Sequence, residues 1–228
     1  MNLSDIHPVT EFRAMLEGCD AYPDDVVAVP EPLMGTAAFP ASSGLVRPAG
    51  STELPPFPYG GLMVIGHDAD SLDLHDDRRA QGIADGDIDH GLSATWFGLY
   101  RLLDLGGVSH DDVYVTSMYV GLKRGPSVGA FTREPSAEFT DWCDRFLEHQ
   151  VRVMRPSVML VLGSVMSTEI MRHCATRPWA KGRLPAPGHR RVDVCGQPTL
   201  LLAAKQPSIP GRLRADGLAL AAAWDSPD

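Results

Sequence analysis

Three short stretches carry side chains able to do chemistry, and each follows an apolar run. Leu62-Met63-Val64-Ile65 opens into Gly66-His67-Asp68-Ala69-Asp70, Val113-Tyr114-Val115-Thr116 leads to Ser117, and the run 200–204 opens into Lys205-Gln206-Pro207-Ser208. A carboxylate, a hydroxyl and a carboxamide are thus offered from distant parts of the chain. Together, such groups can orient a water, touch the hydrogen-bonding edge of a ligand and donate to an oxygen that gains charge. In a parallel sheet the C-terminal strand ends line one crevice, which is where such folds bind ligands.

The elements that must position these groups alternate along the chain. Leu62-Met63-Val64-Ile65 is a continuous apolar run, as expected of a strand buried on both faces, and a polar, acidic loop is expected after it. A helix is predicted from about Ser93 to Leu105, ending at Gly106-Gly107, and the next strand is Val113 to Thr116. A longer helix is predicted from about Ser136 to Met154. Its Phe139, Trp142, Phe146 and Val153 share one face, which reads as core, and Arg155-Pro156 stops it. Val158 to Leu162 is a further buried strand, and Ser164 can cap the helix expected after Gly163. The basic stretch 181–191 leads to a hairpin-like pair, 192–195 and 199–203, and a last helix is predicted over Leu213 to Trp224. Strands alternating with helices imply a three-layer α/β/α domain with a mostly parallel central sheet, here placed at residues 61–228. Residues 1–60 are set apart as a Pro-rich N-terminal extension. It carries one short helix from His7-Pro8 to Gly18, then a segment whose proline density precludes long helices and central strands.

Composition narrows the classes. A hydrophobic fraction of 44% with 21% charged residues is ordinary for a globular chain, and no apolar run approaches the ~18 residues of a membrane span. No basic-then-apolar leader begins the sequence, so no secretory signal and no membrane partner are expected, and a cytoplasmic location is. Cys19, Cys143, Cys174 and Cys195 form no Cys-x-x-Cys pair and are expected as reduced, mostly buried thiols. The net charge of −9 opposes indiscriminate nucleic-acid binding, but it is polarised. Residues 1–112 hold 19 acidic and 5 basic side chains, whereas 113–228 hold 10 acidic and 15 basic. The C-terminal half could therefore present a basic face to phosphate, or simply a solvated one.

The order of parts resembles the uracil-DNA glycosylase superfamily over roughly residues 60 to 224. The resemblance is carried by Asp112-Val113-Tyr114-Val115-Thr116-Ser117, then Arg133-Glu134-Pro135-Ser136. It continues through Cys143, Phe146-Leu147 and Gln150 to Arg155-Pro156-Ser157-Val158 and Val161-Leu162-Gly163. These spacings are similar to those of its iron–sulfur-containing branch. The resemblance implies hydrolysis of the N-glycosidic bond of a deaminated or modified base in DNA, with the base flipped into the crevice. Gly66-His67-Asp68 matches the family's Gly-Gln-Asp at its first and last residues, so Asp68 would orient the water, or else cap the turn after its strand. Gly66, His67 and Ala69 would line the pocket, and Phe97 or Trp96 would stack on the base or pack in the core. Lys205, Arg212 and Arg190, with Arg183, Arg191 and Arg214 near them, would lie against the DNA backbone, as would Ser208 as part of the pocket rim.

The chain departs from the family where chemistry is decided. Gln206-Pro207-Ser208 stands where the family has His-Pro-Ser, so Gln206 would contact the leaving base with a neutral amide. Ser117 stands where an Asn reads the pyrimidine, and a lone hydroxyl lacks the paired donor and acceptor of an amide. The base need not be uracil. Cys143 alone falls on a cluster-ligand position, Gly121 or its neighbour replaces another cysteine, and no Cys pair precedes the domain. No iron–sulfur cluster, other cofactor or metal is therefore expected.

Other constellations are weaker. His67, Asp68, Asp70, Asp73, His75, Asp76 and Asp77 could supply a hard-metal site, although the spacing matches no ligand set and an acidic solvated stretch explains it. Asp85, Asp87 and Asp89 begin like a calcium loop, but its glycine and closing Glu are misplaced. No dinucleotide fingerprint, P-loop or Gly-x-Ser-x-Gly elbow is present. Two further functions stay open: a non-catalytic nucleic-acid or nucleotide binder, and a hydrolase of a free nucleoside-like metabolite.

Overall fold

A computed structural model describes residues 7–28, 56–68, 71–80, 94–125, 135–164, 169–174, 186–209 and 211–226. The elements are α1 (Pro8–Glu17), β1 (Val26–Val27), β2 (Leu62–Asp68), α2 (Leu72–Ala80), α3 (Ala94–Gly106), β3 (Val113–Tyr119) and β4 (Leu122–Lys123). They continue with α4 (Ala137–Met154), β5 (Val158–Leu162), β6 (His189–Val194), β7 (Gln197–Ala204) and α5 (Leu213–Trp224).

The main sheet has the order β3-β2-β5-β7-β6. β2 pairs in parallel with β3 on one side and β5 on the other, β5 pairs in parallel with β7, and β6 returns antiparallel along β7. The connection from β2 leads outward to β3, and the next leads back across β2 to β5. The switch point therefore lies between β2 and β5.

Alternation along each strand sorts the side chains onto two faces. Met63, Ile65, Tyr114, Met118, Met159, Val161 and Leu201 face α1 and α4, where Phe12, Phe139, Phe146 and Val151 complete one core. Leu62, Val64, Val115, Leu160 and Leu202 face α3 and α5, packing with Leu99, Leu102, Leu103 and Leu220. Helices thus cover both faces of a mostly parallel sheet, an α/β fold. The N-terminal helix shares this core: Phe12 is fully buried and meets the rings of Phe57, Tyr114 and Phe146 edge-on or tilted. Residues 29–55 of the Pro-rich segment lie outside the described residues.

Helix ends follow their local chemistry. Ser136 Oγ accepts from Phe139 N at 3.2 Å to cap α4, and Arg155 closes it with a left-handed φ of 51° before Pro156. The β6–β7 turn has Cys195 and Gly196 both at positive φ (55° and 80°) between paired Val194 and Gln197, the mirror-image turn that matches strand twist.

Two expectations need correcting. The acidic stretch after Ile65 is not loop throughout: residues 69–70 and 81–93 lie outside the described residues, but β2 runs on to Asp68, and α2 follows over Leu72–Ala80 with Asp73 in its first turn. Its acid-then-base order, Asp73, Asp76 and Asp77 before Arg78 and Arg79, suits a helix dipole. β3 likewise does not end at Thr116 but continues to Tyr119, with every residue buried.

Thr116 can be buried because its hydroxyl is satisfied. Thr116 Oγ1 and Tyr114 Oη both donate to Gln150 Oε1, each at 2.9 Å, joining β3 to α4 inside the core. A Gln150→Leu substitution removes the shared acceptor of two buried hydroxyls. It is expected to cost roughly 2–4 kcal/mol, lowering Tm by about 5–15 °C. Thermal unfolding checks this; an unchanged Tm would show that the two hydroxyls do not depend on Gln150.

Candidate functional site

The register of β2 and β3 sets Gly66 beside Ser117 and Asp68 beside Tyr119. A Cβ on Gly66 would lie 3.7 Å from Ser117 Oγ, so the missing side chain leaves room beside that hydroxyl on β2. Ser117 is 5% exposed, within β3 rather than after it. Across β2, the end of β5 turns at Gly163, whose φ is 90°, and Gly163 N donates to Ala204 O at 2.8 Å. That bond ties the ends of β5 and β7 together. A Cβ on Gly163 would lie 4.0 Å from Gln206 Oε1, so Gln206 overhangs the end of β5.

Ser117 near the end of β3, Gly66 with Asp68 on β2, Gly163 after β5 and Gln206 after β7 therefore lie toward the C-terminal side of four adjacent strands. At about 4.8 Å per strand, they span roughly 14 Å, enough for a nucleobase and its sugar. Asp68 is held by its neighbour, with His67 Nδ1 donating to Oδ2 at 2.8 Å. The two side chains are 32% (His67) and 21% (Asp68) exposed, so the carboxylate is neither sealed nor fully hydrated. The His67 ring meets Tyr119 edge-on at 5.3 Å, and Tyr119 stacks on Phe139. Burial pushes the Tyr119 phenol up, a neighbour of Asp68 that the sequence reading missed because it ended β3 too early.

The strand end carrying Gln206 is gripped from two sides. Asp216 of α5, buried, accepts from Lys205 N at 3.0 Å through Oδ2. Its Oδ1 accepts from Arg212 Nε at 3.1 Å and Nη2 at 2.7 Å. On the other side, α3 comes so close that a Cβ on Gly98 would overlap the Pro207 carbonyl oxygen and lie 2.8 Å from its carbon. Ile209 N donates to Gln206 O at 2.9 Å, completing a turn that leaves Ser208 exposed.

The remaining predicted residues are dispersed. Ala69 lies outside the described residues, as does Arg183. Phe97 is 57% exposed with the Arg101 guanidinium 5.8 Å from its ring centre, while Trp96 packs partly buried against the core. Arg212 is engaged by Asp216. Arg190 is half-buried on the edge strand β6 and lowers the Cys174 thiol, which burial nevertheless pushes up to about 11. Arg191 and Arg214 are exposed.

The thiols correct a further expectation, since Cys143 is buried but Cys19, Cys174 and Cys195 are only half-buried; all four are free. Burial pushes the Cys143 thiol up to about 12. Around it, Tyr22 Oη donates to Val120 O at 3.1 Å, and a Cβ on Gly121 would lie 2.5 Å from Val26 Cγ1. Tyr22 and Val26 pack beside Val120 and Gly121, and Cys19 lies close to Cys143.

Elsewhere, His173 sits among Asp144, Glu148 and Cys195, with its side chain 4% exposed. Burial alone pushes its imidazolium down, but Asp144 and Cys195 outweigh that and hold it up at about 9. The sequence carries no signal for this grouping, because its members come from three separate elements.

The chain matches no family model and no curated protein sequence. Among the described residues, no helix is long and apolar enough to cross a membrane.

The contact between α3 and Pro207 generates a test of how tightly the Gln206 turn is held. Gly98→Ala must push backbone from backbone, so a loss of about 1–3 kcal/mol in unfolding free energy is expected. Denaturant unfolding checks it; a neutral substitution would mean that α3 and the turn part without cost.

Proposed function

We propose that the chain hydrolyses the N-glycosidic bond of a deaminated or modified base in DNA, using the crevice at the switch point between β2 and β5. One observation carries this: Asp68, one-fifth exposed at the end of the interior strand β2, shares the sheet edge with Ser117 and Gln206. The resemblance of the same stretches to uracil-DNA glycosylases supports it.

In this reaction the base leaves the stack and enters the crevice, at a cost of a few kcal/mol. The Ser117 hydroxyl touches its edge, and the Gln206 amide donates to a base oxygen as the C1′–N bond breaks and electrons move onto the base. Asp68, its rotamer fixed by His67 Nδ1–H, orients a water for attack at C1′. Its negative charge also stabilises the oxocarbenium-like sugar. The new C1′–O bond forms as the water gives up a proton, and the departing base takes one up. With a neutral amide at 206 and a single hydroxyl at 117, a base other than uracil fits the edge chemistry.

A free nucleoside is the second substrate class to consider. Its support is specific: Asp216 takes up Arg212, which removes positive charge from the rim expected to meet phosphate.

Base release from single- and double-stranded oligonucleotides containing uracil, hypoxanthine or xanthine, and from the free nucleosides, separates these cases. Release is expected in EDTA and is expected to fall about 10²–10⁴-fold in Asp68→Asn. Release from nucleosides alone would replace DNA with a small-molecule substrate. DNA binding without release at enzyme excess would leave a non-catalytic binder.

A further inference from the structure

Away from the crevice, three ligand-bearing side chains from three elements meet. Glu148 comes from α4, His173 from the end of a short 3-10 turn (Ile170–His173), and Cys195 from the tip of the β6–β7 hairpin. One carboxylate oxygen, one ring nitrogen and the thiol all lie within 4.8 Å of one another. The backbone holds the group together, because Cys195 N donates to His173 O at 3.1 Å and Cys174 bridges to Val194.

His173 is the unusual member. Its side chain is 4% exposed, and Nε2 is buried without a well-directed hydrogen bond although Asp144 Oδ1 lies 3.4 Å away. Nδ1 lies 3.6 Å from Glu148 Oε1. The ring thus brings nitrogen, oxygen and sulfur donors to one buried place, where Glu148 also pairs with Arg152 at 3.0 Å and Asp144 with Arg172 at 3.4 Å.

We propose that Glu148, His173 and Cys195 form a zinc site that pins the β6–β7 hairpin to α4. Thiolate, imidazole and carboxylate together are a donor set for zinc, whereas calcium and magnesium take oxygen ligands. With metal–ligand distances of about 2.0–2.3 Å, tetrahedral neighbours sit roughly 3.3–3.8 Å apart, so the Glu148–His173 separation already fits. The wider separation closes by about an ångström of side-chain rotation. With zinc on Nδ1, the ring proton is fixed on Nε2, where Asp144 is placed to accept it and to orient the ring. Binding forms the sulfur–zinc bond as the Cys195 S–H bond breaks and the nitrogen–zinc bond as the His173 imidazolium gives up its Nδ1 proton, and both protons pass to solvent. A water can take the fourth position.

The site is structural rather than catalytic. Cys195 precedes β7 and Gln206 follows its end, so the strand's eight residues separate them by about 25 Å. The nearby Cys174 thiol instead donates to Ile170 O at 3.4 Å and serves as a control.

The test uses the whole protein, stripped with EDTA and then given zinc alone or cobalt(II) alone. Expected results are one zinc per chain by elemental analysis after desalting, and a thiolate-to-cobalt charge-transfer band. A Tm rise of roughly 5–10 °C is expected at about a hundredfold excess over Kd. Cys195→Ser should abolish the cobalt band and weaken zinc binding by more than tenfold. Asp144→Asn should weaken it about 10–100-fold with the band kept, and Cys174→Ser should change neither. Absence of zinc binding in the wild type would overturn the proposal, as would a cobalt complex with no thiolate band. Cys174→Ser abolishing the band while Cys195→Ser retains it would also overturn it. These readouts do not depend on base release, so failure of the proposed reaction and failure of the zinc site are distinguishable.

Discussion

The apolar run at the start of β2 has no face it can show to water, and its backbone must be paired on both edges. That requirement places it inside the sheet, between β3 and β5, and demands a helical layer on each side. Two cores follow, one under α1 and α4 and one under α3 and α5. Because β2, β3, β5 and β7 run parallel, their C-terminal ends must also meet at one edge. Every residue of the candidate crevice owes its position to that single constraint.

The edge is kept in place by polar groups that have little freedom to choose partners. Asp216 is buried and accepts from both the Lys205 amide and the Arg212 guanidinium, so it fixes α5 against the end of β7. The bare backbone of Gly98 lets α3 close on Pro207 from the other side. Gln150 does a similar service deeper in, where its carbonyl serves two hydroxyls of β3 and sets α4 on the sheet. Buried charge and buried hydroxyls are costly when unpaired, which makes these contacts specific as well as adhesive. The grouping of Glu148, His173 and Cys195 extends the same logic to the edge hairpin.

Much of the architecture could be read from local pattern. The strands at β2 and β5, the helices at α4 and α5 and the β6–β7 hairpin follow from apolar runs, periodicity, Ser136, Pro156 and Gly196. The sequence reading failed where burial overrode local polarity. Thr116 and Ser117 look like a strand end, yet β3 carries on because Gln150 satisfies one hydroxyl and Gly66 makes room for the other. The acidic run after β2 looks like a solvated loop, yet residues 72–80 form α2, since charge order can support a helix without an apolar stripe.

By itself the sequence determined the α/β class and nominated Asp68, Ser117 and Gln206, because periodicity and strand-end motifs are properties of neighbouring residues. Only the tertiary structure decided that Arg212 belongs to Asp216 and that Phe97 lies exposed beside Arg101. It alone brought Glu148, His173 and Cys195 together. The reason is physical: a partner chosen across the fold depends on how layers pack and how strands register. Side chains 25 or 47 positions apart carry no local trace of meeting.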